Sequence, residues 1–182
     1  MKKLFLTICV ALLSMGAQAQ EKGDFAVGVH TGATITKIQI EDLDVEDNTT
    51  QWGFGAFGQY NLSNHWRVEL EGLYHPMKDH VSDFLVGLDF HYLINLTKDH
   101  NVKLYPLLGY ALQFVHSETY TEKSDRGSIT VQGSDDTDGG IQLGAGLQVN
   151  FADNWFATGE YRWQPGIFGD GHVVMVGVGY RF

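Results

Sequence analysis

The sequence predicts an all-β protein in which eight antiparallel strands close into an up-and-down transmembrane β-barrel. Three observations lead to this prediction: an export signal at the start, eight segments in which apolar side chains alternate with small or polar ones, and connections that alternate between short and variable. Such alternation is the period of a strand whose two faces meet different surroundings. An even number of strands suits a closed up-and-down barrel.

The first residues predict a secretory signal over residues 1–19. Lys2 and Lys3 form a basic start, an apolar run extends from Leu4 to Met15, and the pattern Ala17-Gln18-Ala19 follows. The apolar run is shorter than the ~20 residues that a membrane-spanning helix needs, and the small residues are typical of a cleavage site. We expect cleavage after Ala19 and one mature barrel domain over residues 20–182.

The composition of the mature chain excludes several classes of protein. Cys9 is the only cysteine and leaves with the signal, so no disulfide or cysteine metal site remains. Loss of Lys2 and Lys3 leaves 10 basic against 22 acidic residues, a formal charge of −12, which argues against nucleic acid as a partner. After the signal no apolar run approaches the length of a membrane helix, so any crossing must use closed strands.

The stretch Gly53 to Gly58 reads GFGAFG, which has the G-x-G-x-x-G spacing of dinucleotide-binding loops. Such a loop needs a helix that begins at its third glycine. Here the alternation continues from Trp52 to Leu62 and ends in the turn 63–65. The glycines therefore belong to a strand, and no nucleotide cofactor is expected.

The eight predicted strands are joined by two kinds of connection. They cover about residues 24–36, 52–62, 66–76, 84–96, 102–114, 140–151, 155–163 and 172–182. Three connections are short and alike, NLSNHW, NLTKDHNV and NFADNW. The others vary and are expected as loops near Gln39–Thr50, Lys78–Val81, Ser117–Thr137 and Gly166–Gly171. Short turns at one end and variable loops at the other are typical of outer-membrane barrels. Pro106 lies inside the fifth strand, where it predicts a β-bulge.

Alternation alone does not say which face meets lipid, because a soluble barrel of the lipocalin kind buries its apolar face and a membrane barrel exposes it. On the apolar face the aromatic residues gather near both strand ends. They are Phe25, Tyr60, Trp66, Phe151, Trp155, Tyr180 and Phe182 at one end, and Trp52, Tyr74, Phe84, Phe114 and Trp163 at the other. Two aromatic rings around an aliphatic band fit the two interfaces of a bilayer.

The other face carries a balanced set of charges. Four basic positions stand against four acidic ones: Arg67, Lys103, Arg162 and Arg181 against Glu69, Glu71, Asp89 and Glu160. Charge balance is needed where water is scarce, and eight strands leave an interior just wide enough for side chains. We predict a structural charge network in the lumen, with Arg162 at mid-height and with Arg67 and Lys103 at a wetter rim. Bulky side chains fill the remaining space: Phe57, Leu73, Leu85, Leu93, Tyr105, Leu107 and Phe156.

With its signal, its eight alternating strands and the closing segment VGVGYRF, the chain resembles the small outer-membrane barrels of the OmpA/OmpX type, the outer membrane protein beta-barrel domain group. The resemblance covers the whole mature chain. It implies that the terminal alternation serves as the signal read by the barrel assembly machinery, on Val176, Val178, Tyr180 and Phe182. The group is functionally mixed, so the resemblance does not choose a role.

No catalytic or metal constellation is evident. The eight histidines are scattered, without an H-x-x-x-H pair. In the triplet HSE, His116 and Ser117 are adjacent on a strand and point to opposite faces, so they cannot act together. The segment SDDTDGG resembles a calcium loop, but its twelfth position is Ala145 instead of an acid. We expect no enzyme, no metal and no cofactor.

The sequence therefore predicts an integral protein of the bacterial outer membrane with a packed polar lumen, acidic surface loops and a structural or surface-interaction role. A narrow porin-like channel is the alternative, followed by a lipid A-modifying enzyme. The expected partners are outer-membrane lipid, the assembly machinery through the C-terminal strand, and a surface ligand at the acidic loops. The protein is expected to be a monomer.

Overall fold

A computed structural model describes residues 22–40, 45–124, 127–167 and 170–182, so the predicted signal lies outside the described residues. The described residues contain no helix, and hence none long and apolar enough to cross a membrane. The strands are β1 (Phe25–Ile40), β2 (Val45–Asn61), β3 (Trp66–Lys78), β4 (Val81–Tyr92), β5 (Ile94–Asn95), β6 (Val102–Ser117), β7 (Tyr120–Ser124), β8 (Gly127–Val131), β9 (Asp135–Asn150), β10 (Trp155–Gln164) and β11 (Asp170–Arg181).

Eight antiparallel strands form a closed barrel, as predicted. Each strand pairs with the one before it, in the order β1, β2, β3, β4 with its short continuation β5, β6, β9, β10 and β11. The ring closes because β11 pairs with β1 over residues Ala26 to Lys37. A closed ladder leaves no free sheet edge, and this is what allows strands to cross a bilayer. Strands β7 and β8 form a separate hairpin on the long connection between β6 and β9.

The polar face points inward and the apolar face outward. Along β3, Arg67, Glu69 and Glu71 are buried, whereas Trp66 and Leu70 are 50% and 58% exposed. The same alternation holds on the neighbouring strands, and the predicted bulky lumen residues are all buried. A lipocalin-like barrel would show the opposite arrangement, so this geometry excludes it and fits a barrel surrounded by lipid.

Predicted rim aromatics stand on the outside at both ends. At the short-turn end Trp155 packs edge-on against Tyr180 at 5.1 Å between ring centroids. At the other end Trp52 and Tyr74 are exposed on the outer face. Phe182 differs from its expected lipid-facing position, because it is only 7% exposed and stacks on Phe25 at 6.1 Å. The terminal ring therefore seals the seam between the first and last strands.

Two of the loops expected at the other end are shorter than predicted. Strands β1 and β2 stay paired as far as Ile40 and Val45, so the segment Gln39–Thr50 is mostly hairpin. The segment Ser117–Thr137 contains the β7–β8 hairpin. The tight connection after Lys78 is confirmed: Asp79 and His80 have φ of 50° and 68°, as a two-residue turn of type I′ requires.

The β-bulge expected at Pro106 is absent. Pro106 pairs with Ala145, and the register of β6 with β9 is unbroken. The backbone N–H that Pro106 lacks has a different effect. The neighbouring strand is interrupted at Leu93, between β4 and β5, but both pieces pair with β6 in the same register. A proline that cannot donate thus leaves a gap in the ladder without adding a residue.

Candidate functional site in the lumen and at its outer mouth

Arg162 occupies the centre of the lumen. Its guanidinium contacts four carboxylates, at 3.1 Å for Glu69, 3.2 Å for Asp89 and 2.6 Å for Glu160, and it also bonds Glu71. These acids come from β3, β4 and β10, and the lumen-facing phase of each strand aims them at the same point. Arginine suits this position because its planar group carries five donors and stays charged.

A second arginine is held without a carboxylate. The Arg67 guanidinium donates to His91 Nδ1 at 3.1 Å and to Gln148 Oε1 at 2.6 Å, and lies 4.7 Å from the centre of the Tyr105 ring. The expectation of a wetter rim is wrong for Arg67, which is 1% exposed. The Tyr105 hydroxyl in turn donates to Glu160 at 2.6 Å, so the two arginine clusters form one network.

Amide side chains complete this network, and the sequence did not single them out. Gln142 donates to Asp89 at 2.7 Å, Gln164 donates to Gln142 at 2.9 Å, and Gln59 donates to Glu69 at 2.5 Å. All lie on the inward phase of their strands, so extending the alternation from charged to neutral polar residues would have found them. Glu69 and Asp89 thereby each receive a donor in addition to Arg162, as burial of a carboxylate requires. Glu71 Oε2 accepts no hydrogen bond among the described residues and lies 3.8 Å from His30 Nδ1.

Lys103 and Arg181 stand apart from the central network. Both are buried but line a cavity of about 610 Å³ at the short-turn end, together with residues of the three short turns. Arg181 donates to Asn150 at 3.1 Å. The predicted charge set is therefore divided. Arg67, Arg162 and the four acids lie in the interior, whereas Lys103 and Arg181 lie at the short-turn end.

Glu69, Asp89 and His91 have the composition of a metal site, with ligand atoms within 4.8 Å of one another. The hydrogen bonds of His91 argue against this role. A guanidinium only donates, so Nδ1 of His91 must accept from Arg67, and the ring hydrogen of the neutral imidazole then lies on Nε2. Nε2 thus has no lone pair for a metal, and both carboxylates already serve Arg162. This cluster does not fit a metal ion.

The outer mouth, at the end opposite the short turns, holds a second polar group. Thr34 Oγ1 lies 2.9 Å from His75 Nε2, and His75 Nδ1 lies 2.7 Å from Asp83 Oδ1. His75 and Asp83 are opposite each other on β3 and β4, whereas Thr34 is on β1. All three line a cavity of about 340 Å³. Sequence reasoning missed Asp83, which lies one step beyond the predicted strand start on its inward phase.

The glycine-rich stretch of β2 makes these contacts sterically accessible. A Cβ on Gly53 would lie 2.7 Å from His75 Cδ2, and one on Gly55 would lie 2.5 Å from His30 Nε2. Histidine rings from neighbouring strands therefore lie over β2 where it carries no side chain. This is the structural role of GFGAFG, in a strand as predicted.

The HSE triplet is arranged differently from a catalytic site. His116 Nδ1 lies 2.5 Å from Asp135 Oδ1 on the exposed end of the barrel, two residues beyond the rim residue Phe114. This hydrogen bond raises the pKa of His116 above its usual value. His65 and His100 lie in short turns, and His30 and His91 are buried in the lumen.

The fold has known counterparts in the outer membrane. The N-terminal β-barrel domain of Pseudomonas aeruginosa OprF is 19% identical, with a TM-score of 0.64 over 90% of this chain and 100% of that one. Ail, the attachment invasion locus protein of Yersinia pestis, is 20% identical, with a TM-score of 0.57 over 88% and 99%. Neisserial surface protein A is 14% identical, with a TM-score of 0.61 over 90% and 100%.

At such identities the likeness shows the fold alone. No curated protein matches the sequence. The family described as "Outer membrane protein beta-barrel domain" matches residues 5–182. An inward polar network, an outward apolar face and a closed eight-stranded ladder agree with that match, and the chain belongs to the outer membrane protein beta-barrel domain family.

Proposed function

We propose that this protein is an integral outer-membrane barrel with a closed lumen and a structural or surface-interaction role that needs no catalysis. The signal over residues 1–19 supports export and cleavage, and the two aromatic rims support insertion in lipid. The terminal alternation ending in Phe182 supports recognition by the assembly machinery. The protein acts as a monomer in this proposal.

The contact of Arg162 with carboxylates on β3 and β4 is the observation that carries the closed lumen. It crosses the interior at mid-height, where bulky side chains such as Phe57 and Phe156 fill the space toward the short turns. On the other side, Leu73 and Leu85 form an apolar layer with neighbouring residues. A solute would have to break the ion pairs and move these layers.

Acidic groups at the outer mouth support a surface-interaction role. Asp79, Glu118, Asp135 and Asp136 are exposed at the loop end of the barrel. Loops carried on a rigid scaffold are common sites of recognition. Charge complementarity favours a cationic ligand.

Purified protein refolded in detergent tests the barrel and the lumen together. We expect faster migration of unboiled than boiled protein on a detergent gel, and no large steady conductance in a planar bilayer. A stable open pore that passes small sugars would favour the channel alternative. A soluble periplasmic protein with no heat-dependent band would contradict membrane insertion itself.

Binding of a lysine-rich peptide to vesicles that contain the protein tests the surface role. We expect binding that weakens with salt and is reduced in a variant with Asp135→Asn and Asp136→Asn. The matched control is Asp153→Asn in a short turn at the other end. Equal binding by all three proteins would count against the acidic mouth as the interaction surface.

A further inference from the structure

Thr34, His75 and Asp83 form a directed chain of hydrogen bonds at the outer mouth. An ionised carboxylate only accepts, so when His75 is neutral its ring hydrogen lies on Nδ1, which is 2.7 Å from Asp83 Oδ1. Nε2 then has a free lone pair, and Thr34 is the donor in the 2.9 Å contact. The hydroxyl is thus bonded to a base that a buried carboxylate orients, which is the arrangement of a nucleophile–base–acid triad.

The barrel holds these three hydrogen-bonded side chains rigidly. His75 is 1% and Asp83 is 5% exposed, and the two residues are a cross-strand pair in the β3–β4 ladder. Gly53 leaves the space through which the imidazole reaches Thr34 across β2. Three strands that cannot slide past one another therefore fix the three side chains, as a preorganised site requires.

The three side chains of the triad border a cavity large enough for a small ligand. The cavity of about 340 Å³ is lined by Thr34, His75, Asp83 and Gln113, by the apolar residues Val81 and Val115, and by five further polar residues of the barrel rim. Concave sites of a few hundred Å³ with apolar walls and a few converging polar groups are typical of small-ligand sites. The half-buried Thr34 hydroxyl is the group of the triad that a ligand can reach.

We propose, beyond the structural and surface-interaction role above, that Thr34 is the nucleophile of an acyl-ester hydrolase site at the outer mouth. Thr34 Oγ1 attacks the ester carbonyl carbon while His75 Nε2 takes the hydroxyl proton. The bond to the alcohol breaks, and His75 returns the proton to the departing oxygen. Water then attacks the acyl–threonine ester, again with His75 as base, and releases a carboxylic acid and free Thr34. The net reaction consumes one ester and one water.

Two other residues have supporting roles in this proposal. Asp83 is a positioning residue, which keeps the hydrogen on Nδ1 and stabilises the imidazolium that forms. Gln113 supplies the carboxamide N–H that the developing oxyanion needs, since it lines the same cavity from β6. Val81 and Val115 form one apolar wall, against which a short acyl chain can pack.

A fluorophosphonate probe and p-nitrophenyl butyrate test the proposal on the refolded protein. We expect the probe to label Thr34, identified by peptide mass, and the butyrate to be hydrolysed. Thr34→Val keeps the shape but removes the hydroxyl, so labelling and turnover should fall to background. Thr34→Ser should retain both. Thr31→Val is the matched control, because its hydroxyl bonds Gly53 O at 2.8 Å outside the cavity.

Substitutions of the supporting residues separate chemistry from folding. Asp83→Asn should lower kcat by on the order of 10⁴-fold at unchanged KM, as expected when the imidazole adopts the wrong tautomer. Gln113→Leu should also lower kcat more than it raises KM. The heat-dependent gel shift shows that each variant is folded. The proposal would be overturned if residue 34 is unlabelled in both the folded wild type and the folded Thr34→Ser variant, or if labelling survives Thr34→Val.

Discussion

The guanidinium of Arg162 on β10 lies 3.1 Å from the carboxylate of Glu69 on β3, the strand directly across the barrel. Three strands separate β3 from β10 in either direction around the ring. A single side chain thus braces opposite walls of the lumen. Because Arg162 also contacts Asp89 on a third strand, β4, its loss affects the whole cross-section.

Arg162→Met should therefore destabilise the barrel strongly. Removing one partner of a buried ion pair costs roughly 3–5 kcal/mol, since the other charge remains buried, and here four carboxylates lose their shared partner. Urea unfolding of the refolded protein in lipid vesicles, followed by tryptophan fluorescence, measures the change. Lys103→Met is the matched control, because Lys103 lines the cavity at the short-turn end. Equal losses of unfolding free energy in the two variants would show that Arg162 stabilises the barrel no more than Lys103 does.

The fold was predictable from the sequence because period-two alternation fixes both the strands and the face of each side chain. The inward charges were identified for the same reason, and all eight are buried, six of them in the interior and two at the short-turn end. Their partners were not predictable: Arg67 bonds His91 and Gln148, because barrel shear moves strands along one another by amounts that alternation does not encode. The predicted exposure of Arg67 at a wetter rim was wrong, because these partners hold its guanidinium in the interior, where it is 1% exposed.

The sequence analysis also missed the parts of the strands that extend beyond the membrane. Residues 46–50 carry acids and threonines that look like a loop, yet β2 begins at Val45 and pairs with β1 throughout. Ladder pairing continues outside the bilayer wherever the strands have no reason to separate. Asp83, and with it the triad, lay beyond the predicted strand start because the apolar run that marked the strand begins only at Phe84.

Gly53→Ala should destabilise the protein and disturb the outer mouth. The added Cβ would lie 2.7 Å from His75 Cδ2, so the imidazole must leave its contacts with Thr34 and Asp83. We expect a loss of about 1–3 kcal/mol, the range for overpacking in a close-packed interior. Gly159→Ala is the control, since nothing lies within 4 Å of its Cβ. If neither Gly53→Ala nor Gly159→Ala changes the free energy of unfolding, the His75 ring has room to move away from the added methyl group.

His116 should titrate above its ordinary value near 6.5, because the side-chain hydrogen bond with Asp135 favours the charged ring. A folded-state pKa above the unfolded one stabilises the fold at low pH, and this contribution is lost as the pH rises through the raised value. NMR of the ring protons measures the titration. Asp135→Asn should return it toward the ordinary value, whereas Asp153→Asn should not. An unshifted His116 would show that the pair does not form in solution.

An epitope tag inserted between Ile40 and Val45 should be reached by antibody on intact cells. These residues are the last pair of the β1–β2 ladder, so an insertion there lengthens the connection without breaking a pair. Insertion after Asn48, which pairs with Lys37 inside the ladder, should reduce the amount of assembled barrel. A tag that is reached only after the outer membrane is breached would show that the orientation is inverted.

Deletion of Phe182 should lower the amount of assembled barrel in cells. Phe182 N–H donates to Phe25 O at 2.9 Å, and its ring stacks on Phe25, so the last residue fastens the C-terminal strand to the first. The proposed assembly signal ends at the same residue. Refolding of the purified protein in detergent, where no machinery is present, separates the two effects. A variant that refolds normally in detergent but is depleted from the outer membrane would assign Phe182 to recognition. One that fails in both would assign it to closure of the seam, and normal levels in cells would contradict both roles.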